Sequence, residues 1–137
     1  MEAALDFALA RPEVDRVGIW GGSMGGIAAI RAAVRRPEIE AVAIDSVPVS
    51  VKDAIQITVR PASVRQFARR ASRWGTGLDL ESLRPVDEIG RLNPRPLFII
   101  QGTADQLIPT DSARRLYDAA GEPRTLWLEP RVRHMEM

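Results

Sequence analysis

Val17-Gly18-Ile19-Trp20 runs directly into Gly21-Gly22-Ser23-Met24-Gly25-Gly26, and an alanine-rich stretch from Ile27 to Arg36 follows before Pro37. No other feature constrains the chain so strongly. A short apolar run, a turn dominated by glycine and a stretch of good helix formers spell strand, tight turn and helix. A strand that feeds a helix through so short a turn implies a parallel sheet, because the helix must carry the chain back to the start of the next strand.

The rest of the sequence keeps that rhythm. Leu5, Ala8 and Leu9 recur at helical spacing before Arg11-Pro12, which predicts a short amphipathic helix over residues 2 to 10. Ala41-Val42-Ala43-Ile44 is apolar without alternation, the pattern of a strand covered on both faces, and Asp45-Ser46-Val47-Pro48 ends it. Leu97-Phe98-Ile99-Ile100 is the most apolar segment and predicts a central parallel strand. Ala113, Leu116, Tyr117 and Ala120 then mark a helix, with Thr110 or Asp111 as N-cap and Gly121 as its stop. Thr125-Leu126-Trp127-Leu128 is the last strand, and Trp20 and Trp127 are expected in the core.

Residues 49–93 differ in character. Val64, Phe67, Ala68 and Ala71 form one helical face, Arg65, Arg69, Arg70 and Arg73 the other, and Trp74-Gly75-Thr76-Gly77 breaks the helix. The expectation is one α/β domain over residues 1–137, with a doubly wound, mostly parallel sheet and 49–93 as a helical cap or insertion. The arginine face reads as solvated rather than as a nucleic-acid surface, and Trp74 either lines a pocket or packs.

Composition narrows the chemistry. The formal net charge is +1 over 137 residues, which requires neither nucleic acid nor an anionic membrane as partner. No uninterrupted apolar run approaches the roughly 20 residues that span a bilayer, no leader is read at the start, and the expected location is the cytoplasm. With no cysteine there is no disulfide, thiolate nucleophile or cysteine-ligated zinc, and no metal or organic cofactor is expected. The chain has a single histidine, so any mechanism that needs an imidazole must use His134.

Gly21-Gly22-Ser23-Met24-Gly25 satisfies G-x-S-x-G in the context that gives the motif meaning, after a strand and opening a helix. Such a turn exposes the serine hydroxyl at the carboxyl end of the sheet and aims the Met24 amide and the helix N-terminus at it. Gly21 and Gly25 are expected where a side chain would collide with a neighbouring element, and Gly26 where helix and sheet pack closely. The glycine spacing does not fit G-x-G-x-x-G, and no lysine follows as a phosphate-binding loop needs. A serine hydroxyl is a poor nucleophile at neutral pH, so Ser23 needs a base and a group to orient that base.

These residues resemble the nucleophile turn of the α/β-hydrolase superfamily. Leu97-Phe98-Ile99-Ile100-Gln101-Gly102-Thr103-Ala104-Asp105-Gln106-Leu107-Ile108-Pro109 resembles the strand and loop that deliver its acid, and Trp127-Leu128-Glu129-Pro130-Arg131-Val132-Arg133-His134 its final strand and histidine loop. The order Ser, Asp, His is the superfamily's order. Within it the likeness is to bacterial esterases and peptidases of the dienelactone-hydrolase and prolyl-oligopeptidase-like branches. The resemblance implies a serine hydrolase acting through an acyl-enzyme, with Ser23 as nucleophile, His134 as base, Asp105 as acid and the Met24 amide as one oxyanion donor. Asp45, also at a strand end, reads as a loop-stabilising residue instead. A small-molecule ester is favoured over a peptide as substrate, because esters need less assistance to the leaving group.

The resemblance also implies strands ahead of the nucleophile strand and a second oxyanion donor in a loop among them, neither of which precedes Val17 here. Loss of one such donor costs on the order of 10² to 10³ in turnover. Val17 to Trp20 is therefore expected at a sheet edge, with two explanations open: a piece of a longer hydrolase, or a homo-oligomer that completes the sheet across that edge. The rival from another class is a catalytically weak or inactive remnant acting as a binding module.

Overall fold

The computed structural model describes residues 2–59, 62–64, 66, 67 and 82–136. The first elements are α1 (Glu2–Leu9), β1 (Val17–Gly22), α2 (Met24–Arg35), β2 (Ile39–Asp45) and α3 (Val51–Thr58). They are followed by α4 (Pro85–Glu88), a 3-10 turn (Ile89–Leu92), β3 (Leu97–Gly102), α5 (Thr110–Ala119) and β4 (Arg124–Glu129). The strands form one parallel sheet in the order β1-β2-β3-β4, with β1 at one edge.

Spatial order follows chain order, so every crossover steps the same way, and right-handed crossovers that step one way place their helices on one face. Helix α2 lies against β1 and β2, α5 against β3 and β4, and α4 and the 3-10 turn touch both helices. The expected α/β class and parallel sheet are present; of the two helical layers of a doubly wound sheet, α2 and α5 supply one.

Alternation along the strands sets the core. Val42, Ile44, Leu97 and Ile99 point toward the helices and are buried with Ile27, Ile30 and Leu116. The other face carries the row Trp20, Ala43, Phe98 and Thr125 and the neighbouring pair Ile100 and Trp127. Trp20 is 59% exposed and Trp127 48% exposed, which corrects the expectation that both lie in the core. A strand pattern reveals which residues share a face, but the helices decide which face is covered. For the same reason Ala41 and Ala43 are only half-buried, and β2 is fully covered on one side alone. The Phe98 and Trp127 rings stack on the open face, with centroids 6.1 Å apart.

The segment read as an insertion contributes to this same core through Val49, Val51, Leu83, Ile89 and Leu92. Ser50 caps α3 by accepting from the Asp53 N–H at 3.0 Å. Val64 and Phe67 are exposed, while Ala68, Ala71, Trp74 and the arginines at 65, 69, 70 and 73 lie outside the described residues.

Two arginines secure helix ends. Arg95 Nη1 donates to the carbonyls of Ala33, Arg36 and Ile39, and Arg124 Nη1 to those of Tyr117 and Ala120. Carbonyls at a helix C-terminus have no intrahelical donor, and a guanidinium there also complements the negative end of the helix dipole. At its other end, α5 is preceded by Pro109 as N-cap, with no side-chain cap bond, rather than by Thr110 or Asp111. Asp111 instead sits in the first turn, where its charge complements the helix N-terminus.

Candidate active site

All three residues singled out for catalysis come from the carboxyl ends of strands, where open parallel sheets bind ligands. Ser23 follows β1 directly, Asp105 sits three residues beyond β3, and His134 lies in the loop after β4. Ser23 holds φ 49° and ψ −126°, a left-handed conformation that costs a non-glycine residue about 1–3 kcal/mol. Its N–H donates to the Asp45 carbonyl at 2.8 Å, which extends the β1–β2 ladder by one bond and holds the strained turn.

Glycine acts at different places in the turn than its motif suggests. A Cβ at Gly21 would come within 2.6 Å of the Gly25 carbonyl, so Gly21 is required, as expected. A Cβ at Gly25 would meet nothing within 4 Å, so the collision expected there is absent. The crowded position is Gly26, where a Cβ would run into Val47 and lie 2.9 Å from the Gly21 carbonyl. Gly22 leaves room for the Met135 thioether, which packs the histidine loop onto the turn.

The hydrogen-bond line is continuous. Ser23 Oγ is 3.1 Å from His134 Nε2, and His134 Nδ1 is 2.7 Å from Asp105 Oδ2. With the proton on Nδ1, the imidazole donates to the carboxylate and Nε2 is free to accept from the serine. The Asp105 side chain is fully buried, whereas the His134 side chain retains 21% of its exposure.

Such a burial would be costly for an unassisted carboxylate. Asp105 Oδ1 accepts from the N–H groups of Leu107 at 2.8 Å and Ile108 at 2.9 Å, and Oδ2 accepts from Gln101 Nε2 at 3.1 Å as well as from His134. Burial pushes the carboxyl up, and donation from Ile108, His134 and Leu107 outweighs it, so Asp105 lies below the ordinary carboxylate value. It is ionised at neutral pH.

The acid and histidine loops are tied to each other. Thr103 N–H donates to the Glu129 carbonyl at 2.9 Å, Ala104 N–H to the Val132 carbonyl at 3.0 Å, and Arg131 N–H to Thr103 Oγ1 at 3.0 Å. Gly102 makes this possible, because a Cβ there would overlap the Val132 carbonyl. Met24 opens α2, so its amide is one of the N–H groups at the helix start that have no intrahelical carbonyl to donate to. Asp45 is turned elsewhere: its Oδ1 accepts from the Ser46 hydroxyl at 2.9 Å.

Sequence reasoning missed Gln101, Thr103 and Met135. The one available signal for Gln101 was a glutamine next to the end of an otherwise apolar strand, where it is wholly buried. Among the described residues no group of three or more His, Asp or Glu side chains could hold a metal ion, and no helix is long and apolar enough to cross a membrane.

Comparison with known proteins agrees with this arrangement at the level of the fold. The esterase domain of a Rhodothermus marinus protein superposes with a TM-score of 0.73 at 24% identity, over 97% of this chain and 57% of that one. The acylaminoacyl peptidase of Pyrococcus horikoshii superposes with a TM-score of 0.72 at 16% identity, over 96% of this chain and 22% of that one. In sequence, the uncharacterized protein YfhR of Escherichia coli strain K12 is 31% identical over 88 residues, which cover 62% of this chain and 31% of YfhR. The chain thus spans well under two thirds of each of these proteins. The prolyl oligopeptidase family matches residues 2–134, nearly the whole length, and with its α/β-hydrolase architecture the chain belongs to that family.

Proposed function

We propose that the chain carries the reacting groups of a serine hydrolase that cleaves an ester, and less readily an amide or peptide, through an acyl-enzyme. The observation that supports this best is the unbroken line from Ser23 Oγ through His134 to Asp105, at 3.1 Å and 2.7 Å. In this reading Ser23 Oγ attacks the substrate carbonyl while His134 Nε2 takes its proton. The imidazolium then returns that proton to the leaving group, and a water activated by the same nitrogen releases the acid. Asp105 stays ionised, holds the Nδ1–H tautomer and stabilises the imidazolium. The Met24 amide donates to the oxyanion, in the position where charge develops in the transition state.

An activated aryl ester and a matched anilide, assayed with Ser23→Ala as control, test the proposal. The expected outcome is ester turnover with an initial burst, weaker anilide turnover, and loss of both in Ser23→Ala. Ester hydrolysis that survives Ser23→Ala would remove Ser23 as the nucleophile, and its absence from a folded wild type would favour the reading of a non-catalytic binding module.

A further inference from the structure

Gln101 is wholly buried and takes no part in the proton transfers between Ser23, His134 and substrate. Its Nε2 lies 3.1 Å from Asp105 Oδ2, 3.1 Å from the Gly102 carbonyl and 3.2 Å from the Ile108 carbonyl. Three acceptors share the two protons of one amide nitrogen and fix the orientation of the side chain, because a flip would set Oε1 against three oxygens. Oε1 itself has no protein partner among the described residues. An apolar side chain of the same length would avoid burying that acceptor, so the value of glutamine here lies in what its nitrogen does.

The nitrogen does two things. Gly102 ends β3 and Ile108 stands just before α5, so bonds to both carbonyls draw the two ends of the acid loop together. The bond to Asp105 supplies what the main chain does not. Leu107 and Ile108 hold only Oδ1, whereas Oδ2, the oxygen that meets His134, has Gln101 as its other donor. A carboxylate held at one oxygen can turn about its side-chain bond; held at both, it keeps one orientation.

We propose that Gln101 is a positioning residue, which donates to Asp105 Oδ2 and so keeps the carboxylate aimed at His134 Nδ1 and the imidazole directed at Ser23. Its effect on turnover rests on the hydrolase reading, but its effect on the Asp105–His134 bond is readable without turnover.

Proton NMR of the full chain provides that reading, because His134 is the only histidine and its Nδ1 proton gives an unambiguous low-field resonance. In Gln101→Met, which keeps the length and removes the donor, the resonance is expected to move upfield and broaden through exchange with water. Turnover is expected to fall with it by about 10-fold, in kcat rather than KM, the lower end of what loss of a supporting hydrogen bond costs around metal-ligating side chains. A second measurement needs no variant at the site. The side-chain amide protons of Gln101 in wild type should exchange with solvent far more slowly than those of exposed Gln56 and Gln106.

A folded Gln101→Met with an unchanged resonance, or fast exchange of the Gln101 amide in wild type, would overturn the proposal. A resonance that responds in a protein without turnover would sustain it and count against the hydrolase reading instead.

Discussion

Asp45 closes β2 and Asp105 follows the neighbouring β3 at the same end of the sheet, and both are buried, yet their surroundings differ. The loop after β3 surrounds the Asp105 carboxylate with two backbone N–H groups, the Gln101 amide and the imidazole. The loop after β2 offers Asp45 a hydroxyl from Ser46 and uses its backbone carbonyl to hold the Ser23 N–H. A carboxylate at a strand end is therefore not enough for the part that the proposed mechanism gives to Asp105. The surrounding donors must keep it ionised while leaving one oxygen directed at the histidine.

Substituting each aspartate in turn breaks that comparison if it is wrong. Asp105→Asn removes the acceptor that holds the imidazole tautomer, and kcat/KM for an activated ester should fall by about 10⁴-fold. Asp45→Asn keeps the backbone carbonyl that Ser23 uses, and the fall should stay within about 10-fold. Equal losses would mean that the two loops do not differ in role.

Glycine substitutions sharpen the same contrast. Gly102→Ala would drive a methyl into the Val132 carbonyl and push the histidine loop off the acid loop. A loss of about 1–3 kcal/mol in urea unfolding is expected, together with weaker catalysis. Gly25→Ala meets open space inside α2, and replacing a helical glycine by alanine should stabilise by up to about 1 kcal/mol. Destabilisation by Gly25→Ala would mean that the motif's second glycine is needed for space after all.

The smallest expected effect concerns acid. Asp105 is held below its unfolded value, so its ionised form contributes stability that is fully present above about pH 3.9. That contribution is lost as pH falls through the lower folded value. The stability gap between wild type and Asp105→Asn, followed by circular dichroism, should narrow as pH drops from about 5 toward 2. Parallel curves would show that the donors around Asp105 do not favour its charge.

Much of this site was legible in the sequence because its parts are local. The turn around Ser23 is written in consecutive residues, the strand before Asp105 is the most apolar in the chain, and His134 has no competitor. What escaped depends on residues distant in sequence. Gln101 gains meaning only when the chain returns at Asp105 and Ile108, and Gly22 and Gly102 only when the histidine loop arrives as Met135 and Val132. Trp20 and Trp127 were misplaced because an apolar strand position shows its face but not whether a helix covers it. The cap of α5 fell one residue early because a proline can end the preceding loop without any side-chain bond.

Fluorophosphonate labelling reads out whether His134, oriented by Asp105, activates Ser23. Mass spectrometry should place the adduct on Ser23 in wild type and find it nearly absent in a folded His134→Ala. Labelling of Ser23 at an equal rate without the imidazole, or no labelling of folded wild type, would mean that His134 does not activate it.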